Sequence, residues 1–236
     1  MFINQGFPGI TYRSNTMISI RSYKRREGRM IPSRKRALEE LWLDYGVTMQ
    51  GPLDLTALFG RQAPCHLEIG FGMGEALLEM ACQHPENNYL GVDVYLPGVG
   101  QLLLGIRETE ITNVRIDRRD AMEVLALLPE ASLAGVSLFF PDPWPKQRHH
   151  KRRLVQAPFV EKLHRVLEPG GHFHAATDWD HYARQICGIM EADDNFTNRS
   201  GSGEFYPGPV KRALTKFEKR GLKRGHEVRE LLYERL

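Results

Sequence analysis

The chain has 236 residues, 42% of them apolar and 26% charged, enough hydrophobic material for one mid-sized packed domain and too much for wholesale disorder. No run of about 18 apolar residues occurs, so no membrane-spanning helix is expected, and the opening MFINQGFPGITYRSN lacks the basic-then-apolar order of a secretory leader. The three cysteines, Cys65, Cys82 and Cys187, are widely separated and show no metal spacing, which suits reduced thiols in a cytoplasmic protein better than disulfides.

The net charge of +3 is mild, but its distribution is not. Three windows, Arg21–Arg36, Lys146–Arg153 and Lys211–Arg224, hold 20 of the 32 Lys and Arg and only two acids, Glu27 and Glu218. The remainder of the chain is acidic. One basic run is ordinarily a solvated face. Three of them, so poor in acids, are the footprint of a polyphosphate partner.

In chain order, a loosely ordered tail and an Arg-rich segment lead into a helix over Ser33–Tyr45 with basic residues at its start. The simplest division is a basic, partly flexible arm over 1–32 and one domain over 33–236. From Cys65 onward short apolar runs alternate with amphipathic segments. Strands are predicted at Cys65–Ile69, Tyr89–Val92, Val114–Ile116, Val136–Phe140 and His172–Ala176, with a last one at Val228–Arg235. Helices are predicted at Glu75–His84, Leu96–Arg107, Ala121–Leu128, Pro158–Leu167 and Tyr182–Met190, the fourth of them stopping at Pro169-Gly170-Gly171. This β-α-β-α order predicts an α/β fold of Rossmann-like form: a mostly parallel sheet with helices on both faces. Ligands of such sheets sit beyond the carboxyl ends of the strands, near the reversal of strand order.

Residues that carry chemistry follow the apolar runs. After the first strand, Gly70, Gly72 and Gly74 form a G-x-G-x-G turn preceded by Glu68 and followed by Glu75. Closely spaced glycines allow a sharp turn and close approach of backbone to a ligand. The dinucleotide fingerprint needs Gly or Ala at position 75; a carboxylate there would repel a pyrophosphate, and no P-loop is present. The G-x-G-x-G form preceded by an acid resembles the first motif of S-adenosylmethionine methyltransferases, whose ligand carries a sulfonium and tolerates acids. Asp93, closing the second strand, suits a carboxylate accepting ribose hydroxyls. Asp120, after the third, suits a contact to the adenine amine, and it could equally cap the helix that begins at Ala121.

The most specific stretch is Phe139-Phe140-Pro141-Asp142-Pro143-Trp144-Pro145-Lys146, at the end of the fourth strand. Its alternating prolines can continue neither a strand ladder nor a helix interior, so they hold an extended loop that presents Asp142, Trp144 and Lys146. Arg148-His149-His150-Lys151-Arg152-Arg153 follows and sets phosphate-binding charge beside that loop.

The chain here resembles the bacterial tRNA guanine-N7 methyltransferases, class I methyltransferases by fold. The resemblance is carried by LEIGFGMGEAL, FFPDPWPKQRHHKRR, ATDW (Ala176–Trp179), TKFEKRG (Thr215–Gly221) and the N-terminal IRSYKRREGRM. It implies that Glu68, Gly70, Gly72, Gly74, Asp93, Asp120 and Asp142 line an S-adenosylmethionine site. It implies further that Lys146, Asp178, Thr215, Lys216, Phe217 and Glu218 contact the substrate nucleotide, that Arg148, His149, His150, Lys151, Arg152 and Arg153 touch RNA, and that the target is guanosine 46 in the tRNA variable loop. Asp93 stands where many relatives carry Glu; the carboxylate is kept but reaches less far.

Guanine N7 has a lone pair and no proton, so its methylation needs no obligatory base, and the expected catalytic residue is Asp142, stabilising the purine as it becomes cationic. Asp178 could accept at the Watson–Crick edge or cap the next helix. Trp144 either stacks on a base or packs the loop. His172 and His174 alternate on a strand without an acid or Cys at ligand spacing, so no metal site is expected. The alternative readings are a methyltransferase for another RNA or another atom, and a silent RNA-binding protein on the same fold. Monomer and homodimer both remain open.

Overall fold

A computed structural model describes residues 30–207, 212, 218 and 227–236. The expected arm therefore falls mostly outside the described residues, as do Thr215, Lys216 and Phe217.

Seven strands form one sheet: β1 (Cys65–Ile69), β2 (Asn88–Val92), β3 (Val114–Asp117), β4 (Leu133–Phe139), β5 (Leu167–Thr177), β6 (Phe196–Asn198) and β7 (Arg229–Arg235). Their order is β3-β2-β1-β4-β5-β7-β6, parallel through β5, with β7 antiparallel to both of its neighbours. The order reverses between β1 and β4, which pair in register from His66 opposite Gly135 to Ile69 opposite Leu138. The turn after β1 and the loop after β4 therefore open on the same crevice.

The helices are α1 (Pro32–Tyr45), α2 (Leu55–Phe59), α3 (Glu75–Gln83), α4 (Leu96–Thr109), α5 (Ala121–Leu127), α6 (Ala157–Val166) and α7 (Asp180–Met190). One core lies under α1, α3 and α4 and includes Leu77, Leu102, Leu103, Ile106 and Ile116. The other lies under α5, α6 and α7 and includes Val124, Leu125, Phe159, Leu163, Phe173, Tyr182 and Ile186. The central strands are thus buried on both faces, which is why their sequences read as unbroken apolar runs instead of alternating ones. On α6 the helical period is plain: Phe159, Val160, Leu163 and Val166 all face inward.

Among the strands and α-helices, three depart from the sequence expectation. Strand β5 begins at Leu167, ahead of Pro169-Gly170-Gly171, because Leu133 pairs Leu167 while Gly135 pairs His172. The helix before them ends at Val166, as expected, and the proline and glycines form a bulge in the opening of the strand that follows, with Gly170 at φ +80°. Helix α2 and strand β6 were not expected at all, being too short to show a period. No described helix is long and apolar enough to cross a membrane.

Helix α4 lies so close to the turn after β1 that a Cβ built on Gly98 would sit 1.7 Å from the Gly72 carbonyl oxygen. Both atoms are backbone, so neither can swing aside. Gly98→Ala should therefore force α4 away from the turn and lower unfolding free energy by about 1–3 kcal/mol. Urea titration checks this, and an unchanged midpoint would mean the helix shifts freely.

Candidate functional site

The turn after β1 takes its shape from three glycines in the left-handed region: Gly70 at φ +74°, Gly72 at +61° and Gly74 at +77°. Gly74 is needed for packing as well, since a Cβ there would lie 2.8 Å from Leu102 Cβ. At Gly70 and Gly72 a Cβ would meet nothing within 4 Å. Those two therefore present bare backbone to an open side, the side on which a ligand can lie against the chain.

Asp93, one residue beyond β2, clamps this turn. Its Oδ2 accepts from the Gly72 N–H at 2.7 Å and its Oδ1 from the Tyr95 N–H at 2.8 Å. Burial pushes the Asp93 carboxyl up, its hydrogen bonds to the backbone pull it down, and the charge of Asp142 raises it again. The charge of Asp142, in the loop after β4, thus reaches Asp93, whose carboxylate holds the glycine turn.

Glu68 in β1 is buried, and its carboxyl is pushed up to about 8, first by desolvation and then by the charge of Asp93; Arg212 opposes this. Asp120 caps α5, accepting from the Met122 N–H at 2.8 Å. Behind it the buried Asp117 is gripped by Arg119, with Nη2 to Oδ2 at 2.5 Å, which fixes the end of β3. Acidic groups therefore lie at the carboxyl end of β1 and just beyond β2 and β3, three adjacent parallel strands.

The loop after β4 is strained at both ends: Phe140 lies at φ +50° and Trp144 at +44°, unusual for residues with a Cβ. The Phe140 N–H is tied to the Ala176 carbonyl of β5 at 2.7 Å. Trp144 packs the loop, with the Arg152 guanidinium 4.9 Å from its ring centroid and His149 edge-on at 5.8 Å.

The basic run forms a 3₁₀ helix over Gln147–Arg152, which the sequence reading did not foresee. Lys146, Arg148, Lys151 and Arg152 are exposed. Arg153 is not: it is 2% exposed and turns inward. The expectation that Arg153 touches RNA is corrected accordingly, because its guanidinium faces the Pro143 carbonyl and helix α7.

Asp178 follows β5 and is half-buried, and the N-cap position of α7 is Trp179. Trp179 itself is 40% exposed beside it. Glu218 is buried and gives both carboxylate oxygens to Arg212, at 2.6 and 2.9 Å. Its carboxylate is thus turned to Arg212. Arg212 also pairs with Glu230 on β7, and Glu230 Oε2 lies 2.5 Å from His174 Nε2. Burial alone would raise Glu230, but His174 and Arg212 hold it below the ordinary carboxylate range. The sequence reading missed this chain of His174, Glu230, Arg212 and Glu218. Its partners are far apart in sequence, and only the β5–β7 pairing aligns them.

Residues 62–231 match the family model described as "Putative methyltransferase". A tRNA (guanine-N(7)-)-methyltransferase of Sodalis glossinidius is 49% identical over 228 residues, covering 96% of this chain and 95% of the relative. The chain belongs to the tRNA (guanine-N7-)-methyltransferase family. Its relative of the same name from Aeromonas hydrophila is 50% identical over 93% of this chain and 94% of its own length. Among solved structures, the 16S rRNA methyltransferase KamB superposes with a TM-score of 0.58 at 13% identity, covering 81% of this chain and 98% of that one. A 16S rRNA (adenine(1408)-N(1))-methyltransferase with cosubstrate SAM gives 0.54 at 16%, over 78% and 92%. At that identity the likeness establishes the fold, that of the class I methyltransferases.

Within this family site, Glu68 makes a stability prediction. Its folded carboxyl lies above its unfolded value, so its contribution is complete below the ordinary carboxylate range and is lost as pH rises toward about 8. Glu68→Gln removes the ionisation and should flatten this fall, gaining on the order of a few kcal/mol over the parent at pH 9 and little at pH 5. Denaturant titrations at both pH values read it out; parallel curves for parent and variant would mean that Glu68 is already ionised when folded.

Proposed function

We propose that this protein transfers a methyl group from S-adenosylmethionine to N7 of guanosine 46 in the variable loop of tRNA, giving 7-methylguanosine. The observation that carries the reading is the juxtaposition, at the reversal of strand order, of an open glycine turn, a set of acids and a strained Asp142 loop bordered by exposed cations. A tRNA substrate assigns the protein to the cytoplasm. The division into a basic N-terminal arm and a methyltransferase domain is part of the same proposal.

S-adenosylmethionine, when bound, supplies the methyl as an electrophile on a positively charged sulfur. The bare backbone at Gly70 and Gly72 leaves room for it, and Gly74 closes the turn onto α4. Asp93 and Asp120 border the same hollow with carboxylates, which favour a cation and accept from hydroxyl and amine donors, while Glu68, its carboxyl pushed up to about 8, gives up its proton more readily once a cation lies beside it. Asp93 already accepts two backbone N–H groups, and each of its oxygens keeps a further lone pair for a ribose hydroxyl.

On the other side of the crevice, N7 would bond to the methyl carbon with its own lone pair as the carbon–sulfur bond breaks and its electron pair stays on sulfur, leaving a neutral thioether and a cationic ring. Asp142 stabilises that charge from a loop whose prolines and strain fix it beforehand, so little reorganisation accompanies the reaction. Asp178 accepts at the Watson–Crick edge, where N1–H becomes more acidic as the ring gains charge. Lys146 and the Thr215–Phe217 segment complete the nucleotide site. Arg148, His149, His150, Lys151 and Arg152 hold the tRNA backbone beside it.

Incubation with unmodified tRNA and labelled S-adenosylmethionine, followed by mapping of the modified base, tests the assignment. Label at N7 of guanosine 46 is expected, and label at another base or atom overturns it. Asp142→Ala should lower turnover about 10²–10³-fold while tRNA affinity changes little; activity within a few-fold of the parent would remove Asp142 from the chemistry.

Neutralising Arg148, Lys151 and Arg152 together should weaken tRNA binding and reduce the slope of log affinity against log salt by about 0.7–0.9 for each phosphate that no longer meets a cation. Binding measured across a salt series reads this directly. A slope identical to the parent's would turn this face away from RNA.

A further inference from the structure

One cation of the basic run does something different from the rest. We infer that Arg153 is a positioning residue for the reaction: its buried guanidinium holds the Pro143 carbonyl and so sets Asp142 relative to Asp178.

Arg153 is 2% exposed, whereas Arg148, Lys151 and Arg152 face solvent. Its Nε–H donates to the Pro143 carbonyl at 2.8 Å, inside the loop that carries Asp142 and Trp144. Its Nη1 reaches two side chains of α7, His181 Nδ1 at 3.0 Å and Gln185 Oε1. Its guanidinium lies 4.8 Å from the ring centroid of Tyr182 on the same helix. Nη2 is buried without a hydrogen-bond partner among the described residues, and no carboxylate there lies within ion-pair distance of Arg153.

A buried cation held by neutral groups alone is expensive in free energy. Burial accordingly presses its pKa down, and only Tyr182 opposes this. Stability alone would favour an apolar side chain at this position. The geometry gives the charge another use. Pro143 sits between Asp142 and the left-handed Trp144, so a donor on its carbonyl fixes the Pro143–Trp144 peptide plane, separated from Asp142 only by the stiff proline ring. Backbone strain of this kind costs about 1–3 kcal/mol per residue and persists only where the surroundings over-determine it. The Ala176 carbonyl restrains the loop at Phe140, and Arg153 restrains it at its centre.

The other end of the fork reaches the second acid. Helix α7 starts two residues after Asp178. By gripping Pro143 and α7 together, Arg153 ties the support of one acid to the support of the other. A planar guanidinium can donate in these separate directions from one fixed position, which a lysine ammonium cannot. His181 accepts the bond only as the neutral ring with its proton on Nε2.

This inference rests on the reaction proposed above, so its test includes a readout that does not need the reaction. The variants are Arg153→Lys and Arg153→Met, in the full chain and again in a Trp42→Phe, Trp179→Phe background, where Trp144 is the sole indole. Both variants should lower kcat at least tenfold, since a displacement of about 1 Å can cost about 10²-fold. KM for tRNA and the salt slope of binding should stay at parental values, and acrylamide should quench Trp144 more strongly. Either readout moving alone overturns the inference, as does a reduced salt slope, which would put Arg153 on a phosphate. Should Arg153→Met fail to fold, Gln185→Leu loosens the same fork from α7 and should shift kcat and quenching in the same direction to a smaller extent; no shift overturns the inference too. If the parent methylates no tRNA guanine, the functional proposal fails while the quenching result still decides whether Arg153 holds the loop.

Discussion

The site depends on carboxylates gathered in a poorly hydrated crevice. Like charges so placed raise one another's proton affinity, and desolvation adds to it, as Glu68 and Asp93 both display. Such a cluster is unfavourable in the folded protein taken alone. It makes sense opposite a cation, whether a sulfonium ligand or a purine that becomes cationic during reaction, because each then relieves the repulsion. On the function proposed here, the acids would select for positive charge while the exposed run beside them would select for phosphate. Two electrostatic preferences of opposite sign, a short distance apart, distinguish the small ligand from the polynucleotide.

Backbone approach makes this arrangement possible. Gly98 lets the start of α4 touch the Gly72 carbonyl, and Asp93 ties the Gly72 amide, so the glycine turn is gripped from two sides while its open face stays clear. Across the crevice the loop after β4 is held at Phe140 by β5 and at Pro143 by Arg153. The parallel pairing of β1 with β4 sets the two restrained loops side by side. The glycine turn draws its form from residues free to adopt positive φ, but the loop after β4 does not: left-handed Phe140 and Trp144 would relax without their tertiary partners.

The sequence disclosed most of the sheet because buried parallel strands are continuous apolar runs, and the helices because of stripes such as that on α6. It disclosed the glycine turn, and it held open both roles of Asp120, of which capping is now visible. What it concealed has physical causes. The bulge at Pro169–Gly171 looks locally like a helix stop, since proline and glycine punctuate helices and bulges alike. Glu218 looked like a presented acid within a basic window, and only tertiary pairing with Arg212 buries it. Asp178 looked like an N-cap because Asp is common there, yet Trp179 occupies that position.

The basic run is the sharpest case, and its explanation is periodicity. Counted as charges, Arg148 to Arg153 form a uniform solvated tract. Wound as a 3₁₀ helix, residues three apart share a face, and the run sorts into three stripes. Arg148 and Lys151 are exposed. His149 and Arg152 flank Trp144. His150 and Arg153 face α7, where His150 lies 4.9 Å from the His181 ring and Arg153 bonds that same ring. At 3.6 residues per turn these pairs would drift apart, and Arg153 would not fall in line with His150 behind the loop. A single short stretch can therefore face solvent, pack the catalytic loop and brace it from behind. Charge composition alone cannot separate those tasks, because the residue that separates them is chemically identical to its neighbour and differs only in the direction it points.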